Sequence, residues 1–211
     1  MTRVSIRTLT ALLKRPVGAL VMAVALVALA ATATAEGTQA SGSEALPKVR
    51  VTTTEGAFTL RLRPDIAPLT VANFLEYVEA GFYDGTVFHR VIPGFMIQGG
   101  GFDQNLDKQD TRAPIVNESR QTAKNLRGTI AMARTQHPDS ATAQFFINLV
   151  DNPHLNATSS RPGYAVFGSV TDGMGVVDAI ARIQTTRARG MSDVPLDPVI
   201  IESMRLIDDE Q

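Results

Sequence analysis

Short apolar runs separated by glycine-containing turns constrain the fold of this 211-residue chain more than any other feature. Runs of this length, rich in Val, Ile and Phe, are typical of β-strands, whereas helices need longer segments with apolar residues every three or four positions. Beyond Gly81 the strand-like runs are residues 87–92, 95–98, 129–133, 144–149, 165–170 and 199–207. Many short strands with few helices predict a mainly β domain, built either as a closed antiparallel barrel or as a sandwich.

The segment before Gly81 predicts one hairpin and one helix. In residues 48–63, apolar side chains occupy every second position on both sides of Glu55-Gly56, which indicates a β-hairpin with one buried face. After two prolines the apolar spacing changes to three and four positions, which predicts an amphipathic helix that Gly81 ends; its apolar stripe is Val71, Phe74, Leu75 and Val78. Similar spacing predicts a second helix over Gly173–Ile183.

Residues 1–35 have the pattern of a secretory signal peptide. Four basic residues and no acidic ones precede an apolar run over residues 17–31, and Ala33-Thr34-Ala35 supplies the small residues of a cleavage site. An uncleaved membrane anchor is the alternative, but the run is shorter than the about 20 residues that span a bilayer. We therefore expect cleavage after Ala35, export to the periplasm and no membrane attachment of the mature protein.

Composition then limits what the exported chain can do. Residues 36–47 are small and polar and predict a flexible lead-in, so the predicted domain is a single unit over residues 48–207. Cleavage removes four of the 20 basic residues and none of the 21 acidic ones, which changes the net charge from −1 to −5. Such a chain lacks the basic field that holds nucleic acid. It has no cysteine, and its three histidines are not at metal-ligand spacing, so we expect no metal site.

Residues 88–100, FHRVIPGFMIQGG, carry the most informative pattern. Alternation along a strand places Phe88, Arg90 and Ile92 on one face, so the guanidinium of Arg90 shares that face with large apolar side chains. A lone arginine at such a position usually extends along an apolar surface to reach water. Here a Pro-Gly turn is followed by Phe95, Met96 and Gln98, which brings a cation, an amide and an apolar wall within reach of one another.

The same segment resembles the signature of the cyclophilins, the cyclosporin-binding family of peptidyl-prolyl cis-trans isomerases. Three further segments resemble the family in the right order: residues 125–134, NLRGTIAMAR; residues 140–147, SATAQFFI; and residues 163–168, GYAVFG, followed by Gly173-Met174. The resemblance covers residues 48–207 and implies a closed eight-stranded antiparallel β-barrel capped by two α-helices. Together with the signal peptide, the chain resembles the periplasmic cyclophilins of Gram-negative bacteria.

The resemblance also implies an active site, position by position. It places the catalytic guanidinium on Arg90 and the substrate-binding groups on Phe95, Met96, Gln98, Ala133, Arg134, Gln144, Phe146, His154, Leu155 and Tyr164. Three of these differ from the best-known eukaryotic members: Arg134 replaces an asparagine, His154 replaces the tryptophan that contacts cyclosporin, and Tyr164 replaces a histidine. The last two predict resistance to cyclosporin. Taken singly, Phe146 and Leu155 fit an ordinary core better, and their occurrence together with Arg90 supports the site.

The implied reaction is the cis–trans isomerisation of X–Pro bonds in unfolded or partly folded exported proteins, carried out by a monomer without a metal or cofactor. In this interpretation Arg90 donates to the amide nitrogen as the twisting bond loses its conjugation. A chaperone that holds proline-containing segments in the same groove without turnover is the alternative. The intact Arg90 favours the isomerase, because binding alone does not need a cation at the twisted nitrogen.

Overall fold

The computed structural model describes residues 46–208 and has the mainly β architecture that the apolar pattern predicts. Eight strands form one sheet: β1 Lys48–Thr53, β2 Gly56–Leu62, β3 Arg90–Ile92, β4 Met96–Gly99, β5 Thr129–Met132, β6 Phe145–Asn148, β7 Val166–Asp172 and β10 Ile201–Ile207. A separate hairpin, β8 Thr185–Ala188 and β9 Met191–Pro195, was not predicted from the sequence. The first hairpin pairs as expected, with Val51 opposite Phe58.

The sheet is a curled half-barrel rather than a closed one. Its strand order is β10-β1-β2-β7-β5-β6-β4-β3, and every neighbouring pair is antiparallel. An isolated bridge joins Val87 to Ile200, but in the described part of the chain no ladder joins the edge strands β3 and β10. Beyond that bridge β3 packs against β9 instead. The closed barrel that the resemblance implied is therefore not confirmed, whereas the eight antiparallel strands are present.

Two α-helices pack on this sheet. The first, α1, spans Pro68–Glu79 and contacts β10, and the carboxylate of Glu118 accepts hydrogen bonds from the backbone N–H and hydroxyl of Thr70, both at 2.7 Å. This long-range contact satisfies N–H groups at the start of the helix. The second, α2, spans Met174–Ile180, contacts β2, and is shorter than predicted.

Successive residues of β6 point into two different apolar clusters. Phe145 and Ile147 are fully buried in the main core, where the rings of Phe74 and Phe145 meet edge to face at 5.9 Å. Phe146, between them, lies on the outer face of the sheet in a smaller second cluster. Both faces of the sheet are therefore apolar at this point, and all four residues of β6 are buried.

The structure corrects the predicted alternation around Arg90. Phe88 does not share the face of Arg90; it is fully buried in the main core, and its ring lies 6.0 Å from that of Phe145. Regular strand begins only at Arg90, so the two residues before it do not follow the period of two. The strand predicted over residues 87–92 is therefore confirmed only over Arg90–Ile92.

The predicted signal peptide, residues 1–35, and most of the predicted lead-in lie outside the described residues. Within residues 46–208, none of the helices has the length and apolar character needed to cross a membrane.

Candidate active site

A row of directly paired residues crosses the outer face of the sheet. Arg90 on β3 pairs with Gln98 on β4, Gln98 pairs with Phe146 on β6, and Phe146 pairs with Ala131 on β5. Side chains of directly opposed strand residues project to the same side of a sheet. The row therefore sets a cation, an amide and an aromatic ring next to one another, although three different strands supply them.

Around this row the second apolar cluster forms the floor and walls of a cavity of about 120 Å³. Met96, Ala131, Phe146 and Val166 are buried, and partly buried side chains including Phe95 and Leu155 pack around them. The cavity is lined by nine of the eleven predicted site residues: Arg90, Phe95, Met96, Gln98, Ala133, Arg134, Phe146, Leu155 and Tyr164. Gln144 and His154 are the two that do not line it.

The polar groups of the cavity are accessible to a ligand. The side chain of Arg90 is 42% exposed. Nε2 of Gln98 donates a hydrogen bond to Oε1 of Gln144 at 2.9 Å, which fixes both amides. Because an amide nitrogen carries two N–H groups and its oxygen accepts, Gln98 keeps one donor and its oxygen for a peptide.

Gln144 lies beside the cavity, in an adjoining depression that also contains Ser140, Thr142 and Lys108. It fits there because Gly101 has no side chain: a Cβ at Gly101 would lie 2.4 Å from Cγ of Gln144. Gln144 thus orients Gln98 by its hydrogen bond without lining the cavity itself.

The rim of the cavity is built from stacked rings. His154 lies in a 3₁₀ turn, Pro153–Leu155, and its ring stacks on Phe95 with centroids 5.4 Å apart. The ring of Tyr164 meets Phe146 edge to face at 5.5 Å. The guanidinium of Arg134 lies over the Tyr164 ring at 4.6 Å, a cation–π contact. His154 therefore shapes the entrance without lining the floor.

A family model of cyclophilin type peptidyl-prolyl cis-trans isomerases matches residues 48–206 of the chain. The protein belongs to this family. It is a peptidyl-prolyl cis-trans isomerase.

Curated relatives agree with this assignment. The chain is 54% identical over 162 residues to a peptidyl-prolyl cis-trans isomerase of Streptomyces antibioticus, which covers 75% of this chain and 98% of the relative. It is 53% identical over 155 residues to peptidyl-prolyl cis-trans isomerase B of Escherichia coli, covering 72% of this chain and 94% of the relative. It is 49% identical over 159 residues to peptidyl-prolyl cis-trans isomerase A of Dickeya dadantii, covering 75% and 84%.

Solved structures show the same fold. The crystal structure of a Cryptosporidium parvum cyclophilin superimposes with a TM-score of 0.66 at 26% identity, covering 78% of this chain and 99% of that one. The same parasite protein crystallised in the presence of the dipeptide Ala-Pro gives a TM-score of 0.65 at 27% identity, covering 77% and 99%.

Three buried asparagines hold the walls of the cyclophilin cavity, and sequence reasoning missed their role. Nδ2 of Asn152 donates to the backbone oxygen of Phe95 at 3.0 Å and to Oδ1 of Asn148 at 2.7 Å. Nδ2 of Asn148 donates to Oδ1 of Asn125, whose own amide donates to the backbone oxygen of Leu155, both at 3.3 Å. One network thus holds the backbone oxygens of Phe95 and Leu155, two residues that line the cavity. A signal was present, since Asn148 interrupts an apolar strand.

The residue before Arg90 is kept neutral by burial. His89 is 4% exposed, and its ring packs on Phe102 at 4.6 Å. Removal from water, together with the nearby positive charge of Arg90, lowers the pKa of His89 from 6.5 to about 4. At neutral pH the guanidinium therefore has no charged imidazole beside it. Residues 46–208 contain no group of three or more histidine or acidic side chains arranged to hold a metal ion.

Proposed function

We propose that this cyclophilin isomerises X–Pro bonds in unfolded segments of exported proteins, and that Arg90 stabilises the twisted amide. One observation carries the proposal: Arg90 pairs with Gln98 and Gln98 pairs with Phe146 across neighbouring strands, and all three line a single cavity. Such a site offers a ring-shaped apolar group a place to bind beside hydrogen-bond donors.

The chemical problem is a high barrier between two states of similar energy. The cis and trans forms of an X–Pro bond differ by only about 0.5–1 kcal/mol, yet they exchange over tens to hundreds of seconds. Amide resonance creates the barrier of about 18–20 kcal/mol, because twisting the bond breaks the conjugation of the nitrogen lone pair. A catalyst that binds the twisted amide more tightly than either planar form lowers this barrier without forming a covalent bond.

Arg90 fits that requirement. As the nitrogen leaves conjugation, its lone pair becomes a hydrogen-bond acceptor, which a planar amide does not offer. A guanidinium stays charged at all physiological pH values and presents its donors in a fixed fork. A donor placed at the nitrogen therefore stabilises the twisted state selectively, in the manner of an oxyanion hole.

The apolar residues hold the substrate while the bond turns. Phe95, Met96, Phe146 and Leu155 surround the space that suits a pyrrolidine ring, and the free donor and acceptor of Gln98 suit the peptide backbone beside it. A Cryptosporidium parvum relative was crystallised in the presence of the dipeptide Ala-Pro, which supports a proline-containing peptide as the ligand. Holding one half of the amide fixed makes rotation of the other half productive.

Export to the periplasm forms part of the proposal. It is supported by the four basic residues, the short apolar run and the Ala33-Thr34-Ala35 site in residues 1–35. N-terminal sequencing of the protein recovered from the periplasmic fraction of a Gram-negative host should give Glu36 as the first residue. Recovery of the intact chain in the membrane fraction would show an uncleaved anchor instead.

A protease-coupled assay on a proline-containing peptide tests the role of Arg90. Arg90→Ala should lower kcat/KM by about 10²–10³, the usual effect of removing one donor to a charge that develops in the transition state. Arg90→Lys should be nearly as poor, because an ammonium does not reproduce the planar fork.

Arg50→Ala is the matched control, since Arg50 is exposed on β1 and does not line the cavity. It should keep full activity. Peptide binding to Arg90→Ala, followed by NMR titration, should remain within a few-fold of the parent. An Arg90→Ala enzyme with activity within a few-fold of the parent and an unchanged circular dichroism spectrum would contradict the proposed mechanism.

A further inference from the structure

Arg90 has a charged neighbour that does not line the cavity. Its Nε lies 3.6 Å from Oδ2 of Asp193, and the two side chains are 42% and 39% exposed. Within residues 46–208, Asp193 is the one carboxylate that forms an ion pair with Arg90. It lies on β9, in the hairpin that packs against β3.

A bulge in that hairpin aims the carboxylate at Arg90. Thr186 pairs with Val194 and Ala188 pairs with Met191, so β9 has one more residue than β8 between the two pairs. The two residues of β9 between these pairs are Ser192 and Asp193, and the φ of Asp193, 62°, lies in the left-handed region. Few residues other than glycine adopt this conformation, and Asp and Asn tolerate it best. Bulges next to active sites commonly redirect a side chain in this way.

The hairpin is held in place independently of Arg90. Its turn contains Arg189 and Gly190, both with positive φ, and the guanidinium of Arg189 forms an ion pair with Asp107 in the loop after β4. The position of Asp193 is therefore set mainly by the hairpin and its packing on β3, to which the exposed ion pair of Arg189 adds little.

We propose that Asp193 is a positioning residue for isomerisation, which holds the Nε edge of Arg90 so that its terminal nitrogens face the cavity. This rests on the proposed role of Arg90. A separation of 3.6 Å is an ion pair rather than a hydrogen bond, and both groups are partly exposed, so the attraction is screened. Asp193 thus restricts how the guanidinium rotates and contributes less to the rate than the guanidinium itself.

Asp193→Asn is the sharpest test, because asparagine keeps the shape of the side chain and accepts positive φ while losing the charge. We expect kcat to fall three- to tenfold while KM for a proline peptide stays within twofold. Asp193→Gly, which also accepts positive φ, should show the same loss. Asp197→Asn removes a nearby exposed carboxylate that forms no ion pair with Arg90, and should leave kcat unchanged.

A second readout reports on Arg90 directly. In ¹H–¹⁵N spectra, the Nε–Hε signal of Arg90 should shift and broaden in Asp193→Asn, while backbone amide signals outside β3 and the hairpin stay in place. An unchanged or increased kcat in Asp193→Asn would overturn the proposal. So would a loss confined to Asp193→Gly, which would show a backbone role, or a rise in KM at constant kcat, which would show a binding role. Failure of the proposed function is a separate result, namely full activity in Arg90→Ala.

Discussion

Two neighbouring phenylalanines on β6 show how one strand serves both a core and a site. Phe145 is fully buried in the main cluster, between the rings of Phe74, Tyr83 and Phe88. Phe146 is nearly as buried, at 4% exposure, but it lies in the second cluster and lines the cavity. Burial alone therefore does not distinguish a residue that stabilises the fold from one that binds a substrate.

The two clusters differ in what covers them. The main cluster is closed by the sheet and the two helices, and contains large side chains with no exposure. The second is small, and Arg90 and Gln98 line the cavity beside its buried residues. An apolar surface that remains open beside polar groups is the usual form of a ligand site. On the outer face of β6, the apolar side chain of Phe146 therefore forms part of an open cavity rather than of a closed core.

Alanine at each of these two positions should separate the clusters most clearly. Phe145→Ala should lower the free energy of unfolding by about 3–5 kcal/mol, because it leaves a cavity among packed rings. Phe146→Ala should lower the free energy of unfolding by at least about 1 kcal/mol less than Phe145→Ala does, because it enlarges a space already open to water. Its kcat/KM should fall tenfold or more. Urea unfolding and the peptide assay measure both effects. Equal losses of stability would show that Phe146 belongs to the core after all.

The next largest effect is expected in the pH dependence of the free energy of unfolding, because His89 is buried. Since the pKa of His89 is about 4 in the fold and about 6.5 in the unfolded chain, the unfolded chain binds a proton in this window that the folded chain does not. Stability from neutral His89 is complete above pH 6.5 and falls as the pH drops, by about 1.4 kcal/mol per unit. Between pH 7 and pH 5 the loss should be about 2 kcal/mol.

His89→Gln isolates this contribution, because both proteins share every other titrating group. Urea unfolding of the parent and of His89→Gln at pH 7, 6 and 5 should give curves whose difference shrinks as the pH falls. A constant difference across these values would mean that the pKa of His89 is the same in the folded and the unfolded protein.

A substitution at the rim of the cavity should change the affinity for cyclosporin without affecting the fold. His154 stacks on Phe95 without lining the cavity. The family resemblance places at His154 the tryptophan that contacts cyclosporin. His154→Trp should tighten cyclosporin inhibition at least tenfold, which is about 1.4 kcal/mol, because indole offers a larger apolar face and a donor. Turnover and thermal stability should change little. If the inhibition constant does not move, other rim positions such as Tyr164 set the affinity.

The smallest effect is expected at Gly101, which touches the site only through Gln144. In Gly101→Ala the new Cβ would displace the Gln144 side chain and weaken its hydrogen bond to Gln98. A hydrogen bond of this kind contributes about 1 kcal/mol, so kcat/KM should fall about fivefold, with little change in stability. Gly175→Ala is the matched control, because a Cβ there meets nothing within 4 Å. An unchanged kcat/KM in Gly101→Ala would mean that Gln98 does not need its partner.

Local patterns were enough to predict the hairpin of β1 and β2, the helix α1 and the strand segments, because each depends on spacing within a few residues. The resemblance named the residues that meet at the cavity. The ion pair of Arg90 with Asp193 was missed because it joins distant parts of the chain. The hairpin that carries Asp193 was missed too, since a bulge and a left-handed residue break its period of two.

Alternation also failed at Phe88, where tertiary packing overrides local periodicity. Regular strand begins only at Arg90. The ring of Phe88 therefore packs in the main core, whereas the side chain of Arg90 lies on the other face of the sheet. The direction of the Phe88 side chain depends on packing against Phe145 and other residues distant in the chain. A short stretch of sequence around Phe88 does not include these residues and cannot predict it.

The row of paired residues that runs from Arg90 to Ala131 forms only when the central strands pair in the native register. Catalytic activity therefore depends on strand register during folding. Slipping β6 by one residue against β4 would place Phe145 opposite Gln98 and exchange the two faces of β6. A compact molecule with such an error would have full secondary structure and no catalytic power. Pairing between strands distant in the chain forms slowly. In refolding from urea, recovery of isomerase activity should therefore lag behind recovery of the circular dichroism signal. The length of this lag measures how slowly the central strands reach their native register.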